Sequence, residues 1–155
     1  MVSAVRVVGI DLGQRRIGVA VSDGAGRVAV PHGTVERSGD RDRDRAVLAA
    51  LVEELGGEAV VVGLPLSLDG GAGPAARAAE AEVAALAEVL GVPVELVDER
   101  LTTVSAHRSL ANAGVRSRSR RRFVDQVAAA VLLQSWLDGH RDRPAAPSEP
   151  RMERP

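Results

Sequence analysis

The stretch from Val5 to Asp23, VRVVGIDLGQRRIGVAVSD, constrains this chain more than any other. Apolar residues run into Asp11, a short polar turn with Gly13 follows, and large and small residues alternate from Arg16 to Ser22. Alternation with a period of two marks a strand, and two such runs about a tight turn form an antiparallel hairpin. Ile17, Val19 and Val21 then share one face of the second strand, whereas Gly18, Ala20 and Ser22 leave room on the other. The hairpin carries a carboxylate at the mouth of its first strand, beside a glycine that lets another molecule approach the backbone.

The rest of the chain adds alternating strands and helices. A third strand, about Arg27 to Glu36, contains Pro31, which cannot donate to a ladder and predicts an edge position. Ser38 to Arg45 reads as a charged connector. Leu48, Leu51, Val52 and Leu55 recur at helical spacing, and Gly56-Gly57 ends that helix. The continuous run Ala59-Val60-Val61-Val62 predicts a strand covered on both faces, as in a parallel sheet. After a glycine-rich loop from Leu64 to Gly73, Pro74 suits the first turn of a helix. Its core-facing residues are Ala79, Val83, Leu86 and Leu90, and Gly91 terminates it. A fifth strand spans Pro93 to Asp98, a helix runs from Thr102 to about Ala113, and a buried helix runs from about Phe123 to Asp138. The order predicts an α/β fold: a mixed five-stranded sheet, three antiparallel strands then two parallel, with helices on both faces. One domain over 1–138 is expected, followed by a disordered tail over 139–155 rich in Pro, Arg and Glu.

Composition narrows the chemistry. Hydrophobic residues make up 45% of the 155 and aromatics only 1%, so the core is built from Val, Leu, Ile and Ala. A formal net charge of -1 excludes a global basic field, and any nucleic-acid contact must come from a local patch. All 20 basic residues other than His are Arg, which keeps its charge and grips phosphate in a bidentate way. There is no Cys, and His32, His107 and His140 are scattered, so neither a thiolate site nor a zinc site is expected. No apolar run is long enough to span a bilayer and no secretion signal opens the chain, which predicts a soluble cytoplasmic protein without a membrane partner.

Three acids stand at element ends. Asp11 closes one strand, Glu99 follows another, and Asp125 heads the stripe Ala128, Ala129, Leu132, Trp136 of the last helix. Singly, each is the kind of residue that forms a turn or cap. Together they form an oxygen-donor set that could hold one or two Mg²⁺ or Mn²⁺ ions, the metals of phosphodiester hydrolysis. Asp98, able to pair with Arg100 or to act on a metal through another ligand, and Thr102 stand behind these acids. The basic segment Arg116, Arg118, Arg120, Arg121 and Arg122 immediately precedes Asp125, and as a flexible arm it could bring phosphates to the metals.

At this point the sequence resembles a known family. Gly9-Ile10-Asp11-Leu12-Gly13 with Arg16 to Asp23, Gly63-Leu64-Pro65-Leu66 with Asp69-Gly70, Asp98-Glu99-Arg100-Leu101-Thr102-Thr103, and Asp125-Gln126-Val127-Ala128-Ala129 leading to Trp136 resemble, in order, the motifs of the YqgF family. These are RuvX-type, Holliday junction resolvase-like proteins associated with pre-16S rRNA nuclease activity. The resemblance implies a ribonuclease H-like fold and a metal-dependent endonuclease acting in 5′-end maturation of 16S ribosomal RNA, with pre-16S rRNA and ribosomal particles as partners. It also implies metal-binding and catalytic roles for Asp11, Glu99 and Asp125, and phosphate contacts for Arg16 and Arg100. Gln14-Arg15 stands where the family has Thr-Lys, and Arg replaces Lys before Asp125; neither change removes a carboxylate. The main alternative is a Holliday junction resolvase acting on branched DNA as a dimer. A nucleic-acid-binding module without catalysis is a further one, against which the presence of all three acids argues. An actin- or sugar-kinase-like ATPase, suggested by Asp11-Leu12-Gly13, is disfavoured by a chain too short for two such domains and by the lack of a second Asp-x-Gly-Gly phosphate loop. A monomer and a homodimer are both compatible with the sequence.

Overall fold

A computed structural model describes residues 5–13, 15–64, 74–98 and 118–141. Five strands, β1 (Val7–Leu12), β2 (Arg16–Ser22), β3 (Ala29–Glu36), β4 (Ala59–Leu64) and β5 (Val94–Asp98), form one sheet in the order β3-β2-β1-β4-β5. The pairs β1/β2 and β2/β3 are antiparallel, whereas β1/β4 and β4/β5 are parallel. Among the described residues three helices accompany them: α1 (Arg41–Glu54), α2 (Pro74–Leu90) and α3 (Arg118–Arg141).

The alternation in the first hairpin sorts the core into two layers. Val8, Ile10 and Leu12 of β1, Ile17, Val19 and Val21 of β2, and Val60 and Val62 of β4 meet Leu48 and Val52 of α1 and Leu86 of α2. On the opposite face Val7, Ala20 and Val61 meet Ala129, Ala130, Leu133 and Leu137 of α3. Both faces of β1 and β4 are thus covered, which is why those strands read as unbroken apolar runs. The small residues of β2 face α3, and the room they leave is filled by that helix.

β3 is the edge strand that Pro31 predicted. The ladder with β2 slips between Val19, which pairs with Gly33, and Ala20, which pairs with Pro31, so His32 is the extra residue of a bulge and the proline's missing donor is absorbed there. At the start of β3 the side chain of Gln134 from α3 replaces a strand neighbour: its Oε1 accepts from the Ala29 amide at 2.9 Å and its Nε2 donates to the Arg27 carbonyl at 2.9 Å.

Two helices differ in their bounds from the sequence reading. Arg41 to Arg45 are helical instead of a connector, because Asp40 caps the helix by accepting from the amides of Asp42 (3.1 Å) and Arg43 (3.2 Å). The last helix begins at Arg118 and ends at Arg141, rather than spanning Phe123 to Asp138. Arginine is a good helix former, and the run before Phe123 contains no glycine or proline to stop a helix growing from the apolar segment backwards. Gly139, His140 and Arg141 therefore belong to the helix and not to the expected tail. The loop before Pro74, the helix expected from Thr102, and the tail from 142 onward lie outside the described residues.

Asp44, buried in the first turns of α1, accepts from the Ser38 hydroxyl at 2.8 Å and from the Ser38 amide at 3.0 Å. The hydroxyl bond above all, then the amide, holds its carboxyl below the usual carboxylate range. A carboxyl whose pKa is depressed by folding stabilises the fold fully above its unfolded value, about 4, and loses that contribution as pH falls through the lower folded value. Urea denaturation should therefore find Asp44→Asn less stable than the parent at neutral pH, with the gap narrowing as pH falls below about 4; a gap constant across that window would contradict this assignment.

Candidate active site

The site starts from a row of residues running across the sheet. Gly18 of β2 pairs with Asp11 of β1, Asp11 pairs with Gly63 of β4, and Gly63 pairs with Val97 of β5. In-register partners point to one face. That face is the α3 side, since Val97 packs into the α3 core layer. Asp11 is thus the polar member of the row, flanked on both neighbouring strands by residues without side chains, and it is only 1% exposed. It lies one residue before the end of β1, at the rim where the parallel strands β1, β4 and β5 finish at Leu12, Leu64 and Asp98. Ligands of open α/β sheets bind at this carboxyl rim.

α3 brings the second acid. A Cβ at Gly18 would collide with the main-chain carbonyl of Asp125, and one at Gly9 would lie 2.8 Å from the Leu133 Cβ. The helix therefore rests on bare backbone at two points, Asp125 over Gly18 and Leu133 over Gly9, and runs opposite to β1. Its N-terminal turns lie at the same rim as Asp11. Leu132, Leu133 and Leu137 are buried in this docking, each contributing about 1.5–3 kcal/mol. That sum exceeds what any single polar contact there supplies, so apolar burial sets the position of α3 and the polar groups adjust to it.

Arg16, at the start of β2, supplies the cation that a half-buried carboxylate on an apolar stripe requires. Its Nε donates to Asp125 Oδ2 at 3.0 Å, with side-chain exposures of 15% and 22%. The expected phosphate ligand is therefore engaged by a candidate metal ligand through its Nε, one of the five N–H donors a guanidinium carries. Arg37, which no spacing in the sequence marks, closes the turn between β1 and β2. Its Nε donates to the Gly13 carbonyl at 2.7 Å and its amide donates to the Arg15 carbonyl at 3.0 Å.

Of the acids, Asp11 and Asp125 thus come to one face and one rim. Glu99 follows directly on Asp98, the last residue of β5, and with Arg100, Thr102 and Arg116 it lies outside the described residues. Among the described residues no three metal-binding side chains cluster. Asp11 and Asp125 offer carboxylate oxygens, donors that suit a hard cation such as Mg²⁺ or Mn²⁺. His32 lies on the edge strand, and His140 stacks on Trp136 with ring centroids 3.8 Å apart, at the far end of α3. Trp136 itself is half-buried against the α3 core layer and donates from Nε1 to Glu95 at 2.9 Å. Arg118, Arg120, Arg121 and Arg122 are carried on the first turns of α3, so the basic segment is helical from Arg118 and not a flexible arm.

A double-mutant cycle checks the pairing at this rim. Arg16→Ala and Asp125→Ala should each destabilise by about 1–3 kcal/mol in urea denaturation, with a coupling of about 1 kcal/mol between them. Additive effects would mean that the two side chains do not interact.

Comparison with known proteins adds the following. The family model "RuvX: Holliday junction resolvase" matches residues 5–139. A protein of Mycobacterium sp. (strain KMS) named "Putative pre-16S rRNA nuclease" is 52% identical over 145 residues, covering 93% of this chain and 86% of its own. One of the same name from Myxococcus xanthus is 50% identical over 136 residues, covering 88% and 89%. Among solved structures, Thermus thermophilus RuvC in complex with a Holliday junction substrate aligns with a TM-score of 0.55 at 18% identity, covering 87% of this chain and 94% of that one. At that identity the likeness concerns the fold, which is ribonuclease H-like.

Proposed function

The chain belongs to the RuvX family, and from that premise we propose that it is a metal-dependent endonuclease that hydrolyses phosphodiesters in 5′-end maturation of pre-16S rRNA. The observation that carries this reading is the convergence of Asp11 and Asp125 on the carboxyl rim of the sheet, with α3 seated on Gly18. Glu99, next in the chain after β5, is the third acid of the set. Asp98 and Thr102, either side of it in sequence, support it.

Asp11, Glu99 and Asp125 would hold Mg²⁺ or Mn²⁺, which supplies charge neutralisation, an activated water and stabilisation of the leaving oxygen. Asp11 acts from a position that allows little rearrangement, because it is buried in the sheet between two glycines. Arg16 holds Asp125 through Nε, and its remaining guanidinium donors would be available to a phosphate at that rim. The arginines on the first turns of α3, with Arg116 and Arg100, draw the polyanionic backbone to that rim and fix its register without reading bases.

The family's description, Holliday junction resolvase, favours a second reading, resolution of branched DNA, which would need paired active sites and hence a dimer. Cleavage of a 5′-extended 16S precursor RNA and of a four-way DNA junction, each with Mg²⁺, Mn²⁺ or EDTA, separates the two. Metal-dependent cutting of the RNA, reduced at least about 100-fold in Asp11→Asn and Asp125→Asn with folding retained, is the expected result. Symmetrical cutting of the junction alone would instead identify a resolvase. Cutting that survives both substitutions would remove the carboxylates from the mechanism.

A further inference from the structure

Phe123 is the chain's one phenylalanine, and it is 62% exposed. Burying such a ring is worth about 1.5–3 kcal/mol, a stabilisation that every later turn of α3 takes for its own apolar residues. From Val124 to Leu137 no residue of the helix is fully exposed, so the exposure of Phe123 is not general fraying. The ring directly follows Arg120-Arg121-Arg122 and precedes Asp125 by two residues. Two residues advance a helix by about 3 Å and rotate it by about 200°, so the ring stands at the same end of α3 as the Asp125 carboxylate but on the other flank.

An exposed aromatic that directly follows three arginines on a helix matches what an unpaired nucleic-acid strand offers: phosphates for cations and open base faces for a ring. A duplex hides those faces. The surroundings of Phe123 do not suit a protein partner. Among the described residues the other exposed large apolar side chains are Val5, Val28, Val30, Val47 and Val89, on β3, α1, α2 and the connections next to β1 and β3, so they do not extend the ring into an apolar patch at this end of α3.

We propose that Phe123 stacks an unpaired nucleobase one or two nucleotides from the scissile phosphate, and so selects single-stranded over fully paired substrate. The inference rests on the nuclease reading above and adds to it a residue that chooses the substrate's secondary structure. Stacking is indifferent to base identity, so the preference it creates is for strandedness and not for sequence.

The test uses the full-length chain in EDTA, where binding is read without cleavage, and a single-stranded RNA carrying 2-aminopurine, whose fluorescence is quenched on stacking. Phe123→Ala should weaken single-strand binding about 10-fold and abolish the quench, while Phe123→Tyr retains both. Affinity for the same sequence as a perfect duplex, and the salt dependence of binding, should not change, because no charge is removed. Undiminished affinity and quench in Phe123→Ala, alongside metal-dependent cleavage by the parent, would overturn the stacking role alone. Quench lost in Phe123→Ala while the parent cuts no RNA would support the stacking role and overturn the nuclease reading.

Discussion

A helix approaches a sheet only as closely as the side chains between them allow, and over β1 and β2 those side chains have been reduced to almost nothing. Gly9, Gly18 and Ala20 form the surface on which α3 lies, and Asp125 and Leu133 sit directly on backbone. Everything at the candidate site depends on this contact. Asp11 is fixed by strand pairing, whereas Asp125 has a place beside it only because the helix is seated that low. A methyl group at Gly18 would meet a main-chain carbonyl, which has no rotamer by which to yield.

The division of labour between the two faces follows from the same alternation. Branched residues on one side of the hairpin build the larger core with α1 and α2, and small ones on the other side admit α3. Leucine burial supplies the free energy that seats the helix, and the Arg16–Asp125 pair meets the charge this seating brings toward the interior. Gln134 and Arg37 perform lesser versions of the same task. One completes the hydrogen bonding of an edge strand from the helix side, and the other closes the turn that follows Asp11.

Much of this was legible in the residues. The two-fold alternation from Arg16 to Ser22 gave the hairpin and its vacant face, Pro31 the edge strand, and the Val60 run the buried parallel strand, because each is a local rule with one structural solution. Asp11 and Asp125 could be picked out as acids ending apolar segments. What sequence could not show were pairings between distant positions: Arg16 with Asp125, 109 residues apart, and Arg37 with Gly13, 24 apart. The start of α1 was missed although Asp40 stood at its cap, since the charged run after it masks the helical period. The start of α3 was missed because a string of arginines satisfies a loop and a helix equally well until the apolar turns behind it are docked.

On the proposed reading, glycine-permitted docking of α3 is what would let Asp11 and Asp125 serve one metal site. Calorimetric titration of Mn²⁺ into Gly18→Ala, with Gly33→Ala as a control whose added methyl meets nothing within 4 Å, tests it most directly. Both variants keep every carboxylate. The account predicts that Gly18→Ala, while still folded, binds Mn²⁺ at least about 10-fold more weakly than the parent and that Gly33→Ala binds it unchanged. Equal affinity in the two variants would contradict it.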